Sequence, residues 1–322
     1  MFKKFAAISL SLVVAASLAA CAKKENNTNT ASPAASAAAS AAPAGGTFVP
    51  KELNVQFVPS QNSETLEAKA KPLEKLLGDK LGIPVKVSVS TDYNVVIEAL
   101  ASKQVDLGFL PPSNYVVAHD TRKAADLLLQ ATRFGVDDAT GQPTKDLVDF
   151  YKAMIVVKAD SPIKELKDLK GKKMGWQGVT SAAGYIYPGY MLKKAGVDPV
   201  KDVTGIQFQG HDKAMIALLN GQVDAVGVFQ DIRANMVKDY PNIFKETRVL
   251  GFSDHIPNDT IAVRSDMAPD WRKKIQDAFI AIGNDPEGQK VIYDVYSHKG
   301  YVASDDSKFD IVRSVNKEMG LK

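Results

Sequence analysis

The run Trp176-Gln177-Gly178-Val179-Thr180-Ser181-Ala182-Ala183-Gly184-Tyr185 is where this chain is best equipped for chemistry. A short apolar strand ends, Gly178 permits a tight turn, two hydroxyls follow, and small residues open a helix. The first N–H groups of a helix lack intrahelical acceptors and carry a partial positive charge. With the Thr180 and Ser181 hydroxyls as extra donors, such a turn suits an oxyanion, a carboxylate or a phosphoryl group. The same letters also describe an ordinary Ser/Thr helix cap. His211, after Gly210, opens another helix, where it can donate to an anion or simply cap. Catalytic signatures are missing: there is no Gly-x-x-x-x-Gly-Lys-Ser/Thr loop, no His-Glu-x-x-His and no Gly-x-Ser-x-Gly elbow. His119, His211, His255 and His298 fall at no metal-ligand spacing. The expectation is a binding protein without catalytic residues, metal or cofactor.

Such a turn works only if a scaffold holds it in a cleft, and the chain repeats its scaffold. Ala99-Leu100-Ala101-Ser102-Lys103-Gln104-Val105-Asp106 returns 118 residues later as Ala217-Leu218-Leu219-Asn220-Gly221-Gln222-Val223-Asp224, each copy ending a helix and opening a buried strand. From Leu53 onward, apolar strands alternate with helical periodicity, the βαβ rhythm of α/β lobes with mainly parallel sheets. Two facing lobes enclose a cleft beyond the carboxyl ends of their strands. The strand of the first copy ends at Pro111-Pro112-Ser113-Asn114-Tyr115 and that of the second at Phe229-Gln230-Asp231. A polar loop is expected over 135–145, the apolar run 151–158 is the expected crossing into the second lobe, and only helices are expected after Pro269.

The amino terminus reads Lys3-Lys4, an apolar run from Phe5 to Leu18, and then Leu18-Ala19-Ala20-Cys21, the layout of a cleaved signal peptide. The apolar run falls short of the roughly 20 residues of a spanning helix. Because the residue after the expected cut is the only cysteine in the chain, the segment resembles the lipobox of bacterial lipoproteins, which implies lipid on Cys21 and an extracytoplasmic, membrane-anchored protein. Residues 21–50, rich in Ala, Ser, Asn and Pro with almost no large apolar side chains, are expected to be a flexible tether. Losing Lys3 and Lys4 takes the formal charge from +3 to about +1, and acidic and basic residues are interspersed. That argues against nucleic acid as a partner, and a single cysteine excludes an intrachain disulfide.

Over the rest of the chain, Thr91-Asp92-Tyr93, Asp106 to Tyr115, Tyr151-Lys152, Ser181 to Gly184, Gly210-His211-Asp212 and Ile256-Pro257-Asn258-Asp259 occur in one order. That order resembles the phosphonate- and phosphite-type (PhnD-like) substrate-binding proteins of bacterial ABC transporters. The resemblance implies the two-lobe periplasmic-binding-protein type II fold with a hinge of two crossing segments, near Lys158 and Asp259. Lobe 1 would span 51–157 plus 259–322, and lobe 2 158–258. It implies a monomer that captures a small phosphorus oxyanion and delivers it to permease subunits. In that group the helix-opening motif is Ser-Thr-Ser-Gly; here Ser181-Ala182-Ala183-Gly184 lacks two of its hydroxyls. The implied ligand set is Tyr93, Ser113, Tyr115, Tyr151, Gln177, Thr180, Ser181, Ala182, Ala183, Gly184 and His211, with Asp231 and Asp259 for a ligand ammonium. The missing hydroxyls leave phosphate, sulfonate or another organic anion open as ligand. A sensory partner of a membrane kinase is the alternative to uptake.

Overall fold

The computed structural model describes residues 46–321. The expected signal peptide and Cys21 lie outside them. The strands are β1 (Leu53–Phe57), β2 (Val85–Val89), β3 (Leu107–Leu110), β4 (Ala125–Val136), β5 (Pro143–Val148), β6 (Phe150–Tyr151), β7 (Ala153–Lys158), β8 (Lys173–Trp176), β9 (Thr204–Gln207), β10 (Ala225–Phe229), β11 (Thr247–Phe252), β12 (Ile256–Pro257), β13 (Thr260–Arg264) and β14 (His298–Val302). They form two sheets and a small ladder. The first sheet has the order β14-β4-β13-β3-β1-β2, with β5 hairpinned onto β4, and the second has the order β11-β7-β10-β8-β9. From β4 to β2, and from β11 to β9, the two sheets share one plan. A two-lobe α/β architecture is the result.

Each sheet is mixed rather than mainly parallel. In the first, β2, β1 and β3 run parallel while β13 opposes β3; in the second, β9, β8 and β10 run parallel while β7 opposes β10. The reason is where the chain enters. Strands of βαβ units run toward the cleft, whereas β13 and β7 arrive from the other lobe at the cleft end and run away from it. Residues 153–157, expected at the end of lobe 1, therefore belong with Lys158 to a central strand of the second sheet. The passage between sheets lies instead at β6 and β12, which pair with each other through Ile256 opposite Tyr151 and Pro257 opposite Phe150.

Alternation explains the cores. Along β7, Met154 and Val156 face one apolar cluster while Ile155 and Val157 face another, the period of two that buries a central strand on both sides. In the first lobe Phe57 and Phe109 stack with ring centroids 4.0 Å apart. The helical run over 63–81 is divided at Pro72 into Ser63–Ala70 and Leu73–Leu81, because proline has no N–H for the ladder. Two further expectations fail. The loop expected over 135–145 is partly strand β5. Between the helices Pro286–Tyr296 and Asp310–Glu318 the chain adds β14, against β4. The tether also ends sooner than expected: Phe48 donates its N–H to the Asp266 carbonyl, 2.9 Å, and lies under the Arg264 guanidinium.

Candidate ligand site in the cleft

Helix starts converge where the two sheets face each other. Tyr93 opens the helix Tyr93–Ala101, Pro111 precedes Pro112–Val116, Ala182 and Ala183 open the turn Ala182–Ile186 that continues as Tyr187–Lys194, and His211 opens His211–Leu219. All of these residues line a cavity of about 50 Å³, with Ser60, Gln61, Arg133, Tyr151, Ser181, Phe229, Asn235, Asp259, Tyr296 and Ser297 completing the wall. Several N-terminal dipole ends directed at one small space favour negative charge there.

The expected oxyanion turn is built as follows. The Ser181 hydroxyl accepts from the Gly184 amide at 3.2 Å, capping the helix. The first amides, those of Ala182 and Ala183, have no intrahelical acceptor. Gly184 is small because Gln177 lies against it: a Cβ there would fall 2.1 Å from Gln177 Cγ. Gln177 is buried behind the turn, where its Oε1 accepts from the Gly210 amide at 3.0 Å and ties the Ser181 helix to the His211 helix. Gly210 has φ 105°, a conformation suited to glycine, and this aims the His211 helix. Gln177 and Gly184 thus position the wall without being part of it. His211 is buried, its ring edge packs on Phe229, and its Nδ1 has no hydrogen-bond partner. Burial pushes its pKa down to about 3, so the imidazole is neutral at pH 7.

Tyr93 and Tyr151 line the cavity, and burial raises both phenols above the usual value near 10. Each therefore remains an O–H group at neutral pH. Three expected residues stand elsewhere. Thr180 is buried between the lobes, where its hydroxyl donates to Asn94 Oδ1 and accepts from Asn114 Nδ2, both 3.1 Å. Tyr115 is a core residue: it is fully buried, donates to Asp306 Oδ1 at 2.5 Å and stacks on His119. Ser113 is fully buried outside the cavity wall, its hydroxyl without a partner.

The two aspartates separate. Asp259 lines the cavity, its Oδ2 3.5 Å from Nε2 of the buried His298. Asp231 accepts at 2.5 Å from Arg133, which reaches across from β4, and both side chains are more than nine-tenths buried. The carboxylate expected to face a ligand ammonium is thus engaged through Oδ2 by a side chain of the protein itself, while its Oδ1 is buried without a hydrogen-bond partner. The sequence reading missed Arg133, although a cation in a buried strand needs a partner and could have drawn attention. It also missed Ser60 and Gln61, which a strict use of the strand-end rule after β1 would have reached. No local signal marks Tyr296, a residue of the cavity wall whose hydroxyl donates to the Val58 carbonyl at 2.7 Å.

Further bonds close the cleft beside the cavity. The His211 amide donates to the Ser60 carbonyl at 2.9 Å, the Asn62 amide to Asp212 Oδ2 at 3.2 Å, and Gln209 Nε2 to the Thr91 carbonyl at 2.9 Å.

Residues 55–309 match the family described as ABC transporter, phosphonate, periplasmic substrate-binding protein. The chain belongs to this family. Among relatives of this periplasmic binding component, it is 26% identical over 279 residues to the phosphonates-binding periplasmic protein of Escherichia coli, covering 84% of this chain and 79% of the relative. It is 28% identical over 244 residues to the phosphate-import protein PhnD of Mycolicibacterium smegmatis, covering 73% of each. In fold it is similar to PhnD1 from Prochlorococcus marinus solved in complex with methylphosphonate, with a TM-score of 0.72, 17% identity, and 85% of this chain and all of that chain covered. Among the described residues no helix is long and apolar enough to cross a membrane.

Proposed function

We propose that this binding component captures a small phosphorus oxyanion, a phosphonate or phosphite, between its lobes. The ligand's oxygens sit on the Ser181 hydroxyl and the Ala182 and Ala183 amides, with neutral His211 donating through whichever ring nitrogen carries its proton. The rings of Tyr93, Tyr151, Phe229 and Tyr296 enclose the substituent. The observation that carries the reading is the meeting of the Ser181 and His211 helix starts on one cavity with the tyrosines. Size agrees: one water needs about 10–15 Å³, so about 50 Å³ suits a ligand of about four or five non-hydrogen atoms. Asp259, the wall's acid, favours a ligand with a proton donor on that side.

Delivery follows from closure about the paired β6 and β12 segments: the ligand stabilises the closed lobes, and the closed shape docks on permease subunits. Cys21 holds the protein to the outer face of the membrane through lipid. Hydrogen phosphate is a second reading, favoured by the Mycolicibacterium relative and by Asp259, which can accept from a P–OH group.

Thermal unfolding with phosphite, methylphosphonate, phosphate and alkylsulfonates tests this. A ligand at 100-fold its Kd adds about 2.7 kcal/mol to stability. Phosphorus ligands are expected to shift the melting point and sulfonates are not. Ser181→Ala should weaken binding roughly 10- to 100-fold, the loss of one hydrogen bond to a charged group. It should also cost about 1 kcal/mol in the unliganded protein through the lost cap to Gly184. An unchanged Kd in that variant rejects the assigned anion seat.

A further inference from the structure

We infer that Arg133 is a specificity-determining residue: it supplies from within the protein the cation that an aminoalkyl ligand would bring, and so restricts the site to phosphorus oxyanions with uncharged substituents. The inference rests on the function proposed above and names the substrate class of that same cavity.

Two acids stand near the cavity, and their settings differ. Asp259 is part of the wall, while Asp231 is not; Asp231 is engaged at 2.5 Å by Arg133, which is part of the wall. The guanidinium carbon also lies 5.7 Å from the centre of the Tyr151 ring, so the side chain is held by an ion pair and an aromatic face together. Among the described residues, Arg133 is the only Lys or Arg in that wall. With Asp231 engaged, Asp259 beside the buried His298 is the acid that the wall leaves for a ligand ammonium, and an ammonium on the Arg133 side would meet a fixed positive charge, in a space with room for little more than the oxyanion. Like charges placed together without water cost several kcal/mol, which corresponds to about 100-fold or more in affinity. An uncharged methyl, or the hydrogen of phosphite, meets no such penalty.

The test is calorimetric titration of the full mature protein with methylphosphonate, phosphite and 2-aminoethylphosphonate. The unmodified protein is expected to bind methylphosphonate or phosphite about 100-fold or more tightly than 2-aminoethylphosphonate. Arg133→Gln frees Asp231 and should narrow that ratio at least tenfold while keeping methylphosphonate within about tenfold. Because removing one partner of a buried pair endangers folding, the neutral double variant Arg133→Gln with Asp231→Asn is measured beside it. Without the freed carboxylate, its ratio should lie between those of the single variant and the unmodified protein. Melting curves establish that both variants are folded. Preference of the unmodified protein for 2-aminoethylphosphonate overturns the inference, as does an unchanged ratio in Arg133→Gln. Equal loss of all three ligands in folded Arg133→Gln also overturns it, because Arg133 would then be holding the oxyanion itself. Binding of none of the three by the unmodified protein rejects the phosphorus-oxyanion reading as well, which separates the two failures.

Discussion

At the foot of each sheet the chain turns from helix to strand through Gln-Val-Asp and makes the same pair of bonds. The Asp106 amide donates to the Asn54 carbonyl at 2.9 Å and its carboxylate accepts from the Asn54 amide at 2.9 Å; Asp224 does the same with Lys173, at 2.9 and 2.8 Å. The repeated letters thus serve one purpose, clasping β3 to β1 and β10 to β8 in register. What surrounds the two carboxylates differs. Asp106 is buried and paired with the Arg264 guanidinium at 3.0 Å, whereas Asp224 is exposed. At the cleft ends of the same strands the divergence is wider: Pro111 and Phe229 both reach the cavity, but only the second copy continues into an acid, Asp231, that binds across to the other lobe. The copied part of each lobe is scaffold, and the chemistry sits where the copies differ.

The largest expected effect breaks the comparison at the feet. Asp106→Ala leaves Arg264 short of a buried partner, and such losses cost about 3–5 kcal/mol. The lower end is expected here, because Asp266 still accepts from Arg264 Nε at 2.6 Å. Asp224→Ala loses one exposed clasp and should cost about 1 kcal/mol. Denaturant unfolding of both variants checks this, with ligand preference unchanged in each. Equal losses would mean that the clasp, not the buried pair, dominates at both feet.

A second effect sharpens the contrast at the cleft ends, because the second lobe brings a buried neutral histidine there. The folded pKa of His211 is about 3, below the value near 6.5 of the unfolded chain. The unfolded state therefore binds more protons between these values. Stability is full above about pH 6.5 and declines as pH falls toward 3, by about 2 kcal/mol between pH 6.5 and pH 5 from this group alone. Burial lowers His298 as well, so its contribution has the same sign. Unfolding followed from pH 7.5 to 5 should be visibly less steep in His211→Gln, with a residual slope from His298. An identical slope would place His211 in water.

How much of this was legible in the sequence divides along the same line as the repeat. Strands, their burial and the Ser181 turn follow from local rules: alternation, small residues and a hydroxyl at a helix start. Of the crossing expected over 151–158, only the start lies in the passage between the sheets, because Ala153–Val157 is uniformly apolar and only its pairing with β10 and β11 reveals which sheet owns it. β14 was hidden for a related reason, since His298-Lys299-Gly300-Tyr301-Val302 has little strand character until β4 supplies its hydrogen bonds. Tyr115, Thr180 and Asp231 sit in motifs that suggest ligand contact, but each is claimed by a side chain distant in sequence: Asp306, Asn94 with Asn114, and Arg133. Residue type and spacing place a group at the cleft; they do not say whether the opposite lobe has already used it.

Thr180 gives the smallest effect and a direct test of that last distinction. Its hydroxyl is spent on Asn94 and Asn114 of the first lobe, so it acts on the closed arrangement and not on the anion. Thr180→Val keeps the shape and removes both bonds, while Asn114 Nδ2 retains its bond to the Tyr93 carbonyl at 2.8 Å. A net loss of about 1 kcal/mol falls on closure and should weaken every ligand by about fivefold, with the order of preference preserved. If the variant instead lost one class of oxyanion selectively, Thr180 would be touching the ligand, and the line drawn here between anion seat and lobe contact would have to move by one residue.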